Sequence, residues 1–206
     1  MKDETVRKLV NAVGVRHGFE IGRVQVFEGK RNLLGKATKT ANLGLSITIA
    51  NRKESNNLAN AINVLDTIIH EFAHIFLISQ GVSNGHNEEW ESVYFGYLLD
   101  DYKALVELYN FLEGEDLPYS FMQLVTYSSA IKFNKPRFIS FLRENGQSID
   151  EEYARYIIAR HPRSVAINYL KRADLYIENG VQFPKFRVCL PDCRCVYSFN
   201  NWKDVD

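Results

Sequence analysis

The sequence predicts an α+β fold: a small antiparallel sheet leads into one long apolar helix, and a helical region ending in a β-hairpin follows. Three observations carry this expectation. Short alternating apolar segments cluster between residues 23 and 49. A helical stripe of Leu58, Ile62, Leu65, Ile69, Phe72 and Phe76 then runs at spacings of four and three. Beyond residue 118 helical patterns return, until alternation resumes on either side of Pro191-Asp192.

Taken in order, the first element is an amphipathic helix from Thr5 to His17, with Val6, Leu9, Val10 and Val13 on one face. Strands are expected at Arg23–Phe27, Leu33–Thr38 and Leu43–Ile49, and Leu45–Ile49 reads as an exposed sheet edge able to accept an added strand. The long helix spans Asn57–Gln80. Val64, Ile68, Ile75, Leu77 and Ile78 widen its stripe until it is apolar nearly all round, which places it at the centre of a core. Gly81 is a natural C-terminal stop, and Ser83-Asn84-Gly85 reads as a turn. Asn87 is a good N-cap for a helix to Leu99, with Glu88 and Glu89 suiting its positive end and Trp90, Tyr94 and Leu98 packing inward. A further helix covers Tyr102–Leu112.

Gly114-Glu115-Asp116-Leu117-Pro118 interrupts every periodicity and divides a domain over 1–113 from an accessory region over 119–206. In that region helical patterns fall near Phe121–Ile131, Lys135–Asn145, Asp150–Arg160 and Ser164–Ile177, before a hairpin of Phe183–Leu190 and Arg194–Phe199. With 46% hydrophobic and 24% charged residues, the composition is that of a globular protein and excludes disorder throughout. No apolar stretch is read as approaching bilayer length, and the start of the chain has no secretory character, so cytoplasmic or nucleoid-associated residence is expected, in a host cell if the gene is viral. Net charge is zero but uneven: residues 1–118 carry 12 Lys and Arg against 16 Asp and Glu, and residues 119–206 carry 13 against 9. The basic second half suits an acidic partner such as DNA; a solvated surface of mixed charge is the alternative.

The chemistry is concentrated at His70-Glu71-Phe72-Ala73-His74. Two imidazoles four residues apart on a helix face the same way and can share one metal ion. Glu71 projects beside the metal, where a carboxylate can take a proton from the attacking water and hand it to a leaving amine. On an otherwise apolar helix these polar groups would be costly unless paired or bound to metal.

A catalytic zinc takes three protein ligands and leaves a fourth position to water. His86, at the entry to the next helix, is the expected third ligand, with Glu88, Glu89 and Glu91 as competitors. Asp66, one turn before His70, is either an acceptor that orients that imidazole or a solvent-exposed residue near the helix start. Tyr94, Tyr97 and Tyr102 are near enough in sequence to be considered as oxyanion stabilisers, and His17 and His161 read as structural or surface residues. No Gly-rich phosphate loop, nucleophile elbow or internal repeat is present in the sequence.

The run Thr67-Ile68-Ile69-His70-Glu71-Phe72-Ala73-His74 followed by Gly85-His86-Asn87-Glu88-Glu89-Trp90 resembles the SprT-like metalloproteases, which include the Spartan group. Their pattern joins HExxH through a loop to a Gly-His pair shortly before an aromatic residue. Upstream, Leu34-Gly35-Lys36-Ala37 and Leu45–Ile49 look like the family's glycine-bearing strand and the short strand before its active-site helix, so the resemblance covers residues 5 to 112. It implies a zincin-like domain, Zn2+ held by His70, His74 and His86, Glu71 as general base, and cleavage of proteins on or near DNA.

The family would also lead one to expect a carboxy-terminal zinc ribbon with two CxxC pairs. Cys189, Cys193 and Cys195 have the wrong spacing for one, and are read as reduced residues filling a small hairpin core. The accessory region reads as a helical cap; the alternative is a winged-helix module using Arg155, Arg160, Arg163, Lys171 and Arg172 on a nucleic-acid backbone. The functional expectation is therefore a zinc endopeptidase. Its rivals are a non-enzymatic nucleic-acid-associated protein with a structural metal, and a metallopeptidase for one dedicated protein target unrelated to DNA.

Overall fold

Helix α1 (Asp3–Arg16) opens the computed structural model and packs Val6, Leu9, Val10 and Val13, all buried, toward the core. Residues 1–29, 34–52, 57–82, 85–116, 130, 133–134 and 136–146 are described. They fall in two units, Met1–Met122 and Gln123–Asp206. The first is mixed α and β: α1 is followed by β1 (Ile21–Phe27), β2 (Gly35–Thr40), β3 (Gly44–Ala50), α2 (Asn57–Ser79), α3 (Glu88–Asp100) and α4 (Tyr102–Glu113). In the second, residues 136–144 are helical, with Phe138 and Leu142 one turn apart and both buried. The expected helix Phe121–Ile131 apart from residue 130, the helices Asp150–Arg160 and Ser164–Ile177, the hairpin, the five cationic residues assigned to a nucleic-acid module, His161 and all three cysteines lie outside the described residues.

The three strands form a sheet of order β1-β3-β2, and this overturns two expectations. Pairing is mixed: β2 runs antiparallel to β3, with Ala37 opposite Ile47, but β1 runs parallel to β3, with Val24 opposite Ile47. Leu45–Ile49 is accordingly the centre of the sheet and not its edge. The reason is visible in burial, since Ser46, Ile47, Ile49 and Ala50 are all buried whereas β1 and β2 are mostly exposed or half-buried. A strand covered on both faces belongs in the middle. The edges are β1 and β2.

Helix α2 is the core element. Ile62, Leu65, Ile68, Ile69, Phe72 and Ile75 are fully buried, each contributing about 1.5–3 kcal/mol of hydrophobic stabilisation. The stretch Asn60–Ser79 is in fact long and apolar enough to cross a bilayer, which corrects the reading of apolar lengths; 78% of its most apolar window is buried inside the fold, as expected of a central helix. The helix stops where expected. Gly81 takes φ of 73°, its N–H reaches Ile78 O, and the Val82 N–H reaches Leu77 O, the paired bonds of a Schellman ending.

Polar contacts tie the end of β3 to the start of this helix. Asn60 Nδ2 donates to Asn51 Oδ1 at 2.7 Å, and the Arg52 N–H donates to Asn60 Oδ1 at 2.9 Å, so the end of β3 is fastened to the first turns of α2. Both asparagines are buried.

Candidate metal centre

Along α2, residues four apart line up in rows, and two neighbouring rows carry the site. Asp66, His70 and His74 form the row toward α3; Thr67 and Glu71 form the row toward β2, where Gly35 lies against both. Separate surfaces of one helix thus carry the imidazoles and the carboxylate.

His86 joins them from just before α3. Asn87 accepts from the Trp90 N–H at 2.9 Å, capping α3 and fixing the residue beside His86. The three Nε2 atoms then form a nearly regular triangle: 3.3 Å from His74 to His70, 3.2 Å from His74 to His86 and 3.1 Å from His86 to His70. Three nitrogens at one apex each cannot all be donor and acceptor to one another with acceptable angles, so the triangle is not a hydrogen-bonded ring. Zinc–nitrogen bonds of about 2.0–2.1 Å in tetrahedral directions would place neighbouring ligand nitrogens about 3.3 Å apart. The donor set therefore fits a divalent metal ion, and His70, His74 and His86 form a group able to hold one. Of the competing ligands, Glu88 and Glu89 are exposed and Glu91 is buried, and no carboxylate joins the group among the described residues.

Aromatic side chains hold the imidazoles in place. Trp90 is fully buried, and its ring centroid lies 4.7, 5.2 and 4.5 Å from those of His70, His74 and His86. Tyr94 stacks on Trp90 at 4.8 Å and meets His70 edge-on at 5.8 Å. Asp66 is buried, not exposed at a helix start, and accepts the Tyr94 hydroxyl at 3.0 Å. Exposure is graded across the group: His74 is buried, His70 half-buried and His86 exposed, so access from solvent is on the His86 side.

Glu71 is 4% exposed. Burial pushes its carboxyl up to about 8, against the opposing effect of a backbone bond from Ala37, whose N–H donates to the carboxylate. A cation in the histidine group would add its own charge and favour the ionised form. His86 is shifted downward by partial burial, which favours the neutral, ligating imidazole.

The three tyrosines considered as oxyanion stabilisers are all buried: Tyr94 is committed to Asp66, and Tyr97 packs at 4.4 Å on His17. His17 is structural, bonded at 2.8 Å to the buried Asp101 carboxylate that Arg16 also engages. The sequence reading named Gly35 and Ala37 only as part of a family-like strand and missed their contact with Glu71. Their signal was a glycine inside a strand pattern, which marks a close approach of another group. No family model, curated protein or solved structure matches the chain.

Proposed function

We propose that this chain is a zinc-dependent endopeptidase of SprT-like type, with His70, His74 and His86 as the metal ligands and Glu71 as the general base. The observation that carries the reading is the triangle of three Nε2 atoms with an acidic side chain on the adjoining row of the same helix. Structural zinc sites are closed by four protein ligands, whereas a three-ligand group leaves a position for chemistry. Among the described residues there are three.

When bound, the zinc ion supplies Lewis acidity, polarising the scissile carbonyl and acidifying water. The protein supplies the rest. Glu71 takes a proton from the attacking water and returns it to the departing amine, a role for which its burial beside the histidines excludes competing solvent. Trp90 and Tyr94 keep the imidazoles from turning away. Substrate backbone adds as a strand to an edge of the sheet, and of the two edges it is β2, because β2 is the strand that runs past Glu71. Gly35, Ala37 and Lys39 are the positions whose backbone groups face away from β3, since Leu34 O is directed to the Ala50 N–H; the Ala37 N–H is already given to Glu71, which leaves Gly35, Lys39 and the Ala37 carbonyl for a substrate strand. Cytoplasmic residence and substrates bound near DNA belong to the same proposal, supported by the SprT-like motif and by the basic balance of residues 119–206.

Cleavage of an unfolded protein substrate, measured with and without a chelator and with and without DNA, tests this reading. Chelator-sensitive cleavage that Glu71→Gln abolishes while metal content stays at wild-type level is the expected result. A metal-loaded wild type that cleaves nothing in either condition rejects the peptidase and favours a structural metal. Cleavage indifferent to DNA separates a dedicated peptidase from one acting on DNA-associated proteins.

A further inference from the structure

Gly35 opens β2 with backbone torsions that any residue can adopt, since the positive-φ glycines are those at 18, 44, 81, 114 and 146. Space, and not torsion, calls for glycine there. A β-carbon at position 35 would lie 2.6 Å from Glu71 Oε1, 2.8 Å from Glu71 Cγ and 2.5 Å from Thr67 Cγ2. All three distances are far inside van der Waals contact of about 3.5–4.0 Å.

Neither neighbour can give way freely. The Thr67 hydroxyl donates to Asn63 O at 2.6 Å, which fixes its rotamer and leaves the methyl toward Gly35. Glu71 is buried, and its carboxylate is held two positions further along the strand by the Ala37 N–H. Bare backbone at 35 and an amide at 37 together make a seat for one carboxylate.

We propose that Gly35 is a positioning residue for Glu71: the missing side chain at the head of β2 is what lets this carboxylate lie against the strand beside the three-histidine group. The inference rests on the general-base role given to Glu71 above. It has a consequence for substrate handling. The strand that seats the base is also an edge strand of the sheet, so one stretch of backbone sets both the base and the register of an added substrate strand. A competing role is simple helix-to-strand packing through Thr67.

Gly35→Ala and the double variant Gly35→Ala with Thr67→Ser are compared with wild type. The serine keeps the hydroxyl and removes the methyl contact, so the double variant relieves the packing clash with Thr67 and leaves the contact with Glu71. In both, kcat falls about 10- to 100-fold, the loss expected of an acid or base displaced by about 1 Å. KM stays within about twofold, because ground-state binding is not altered. The Co2+-substituted proteins keep the wild-type absorption spectrum, since the histidines are untouched. Crystal structures show the Glu71 carboxylate moved off the Ala37 N–H. A carboxylate found unmoved overturns the inference, as does recovery of wild-type kcat in the double variant, which would assign Gly35 to packing. Failure of the peptidase reading is distinguishable: it shows as a wild type without chelator-sensitive cleavage, and the crystallographic comparison decides the seat even then.

Discussion

The Tyr94 hydroxyl on α3 donates to the Asp66 carboxylate on α2 at 3.0 Å, with both side chains buried. Asp66 stands one turn before His70 in the same row, and the Tyr94 ring meets the His70 imidazole edge-on with centroids 5.8 Å apart. The bond therefore sets the spacing of the two helices at the height of the histidines.

Tyr94→Phe keeps the ring stack on Trp90 and removes only the donor. It should cost about 1–3 kcal/mol of stability, because a buried carboxylate loses a hydrogen bond. Metal affinity should fall by up to about 10-fold through looser imidazoles, at the mild end of what supporting residues contribute. Thermal unfolding and Zn2+ competition titration measure the two effects, and a variant with wild-type values in both would show that the bond positions nothing.

His86 is exposed and enters from a turn, so His86→Ala should leave the fold intact and empty the site. Loss of a supporting residue already costs 10- to 100-fold in metal affinity, so loss of a direct ligand should cost about 100-fold or more. Circular dichroism should match wild type while metal content of the dialysed protein drops toward zero. Retention of stoichiometric metal would mean that another side chain, outside the present triangle, completes the site.

What could be read in advance was local. The stripe of α2, the Gly81 stop and the Asn87 cap follow from periodicity and chain-end hydrogen bonding within a few residues, and the HExxH spacing is a property of one helix. Strand order is not local. Alternation looks the same in parallel and antiparallel pairs, and Leu45-Ser46-Ile47-Thr48-Ile49 alternates like an ordinary half-buried strand, so nothing in the pattern placed β1 beside β3; only the burial of both faces in the fold marks β3 as central. The same holds for the site. His86 could be ranked because it sits in a turn next to a helix cap, but the partner of Asp66 lies 28 residues away and the contact between Gly35 and Glu71 joins a strand to a helix across an intervening strand.

Metal binding should be coupled to stability. A ligand that binds only the folded chain stabilises it by about 2.7 kcal/mol at a free concentration 100-fold above its Kd, which for a chain of this size is roughly 5–10 °C in Tm. Tm should rise with added Zn2+, fall on chelation and be insensitive to both in His86→Ala. A wild-type Tm that ignores metal would mean that the three imidazoles are not a binding site in solution.

Acid sensitivity should centre on Glu113 at the end of α4. Burial alone would raise its carboxyl, but bonds from the Thr5 hydroxyl and the Lys2 N–H, with the charges of the N-terminus and Lys2, outweigh it and hold the group below its ordinary 4.5. A carboxyl that is more acidic in the folded state than in the unfolded state favours folding once ionised. That contribution is fully present above the unfolded value and is lost as pH falls through 4.5 toward the folded one. Tm of the wild type should therefore decline below about pH 5, as the contacts between α1 and α4 loosen. Glu113→Gln should start lower at pH 7 and lose less over the same range, the difference between the two curves shrinking as acid protonates the wild-type carboxyl. Because Glu113 is largely solvated, the difference should also shrink with added salt. Parallel wild-type and Glu113→Gln curves from pH 7 to 3 would show that this contact contributes no acid-dependent stability.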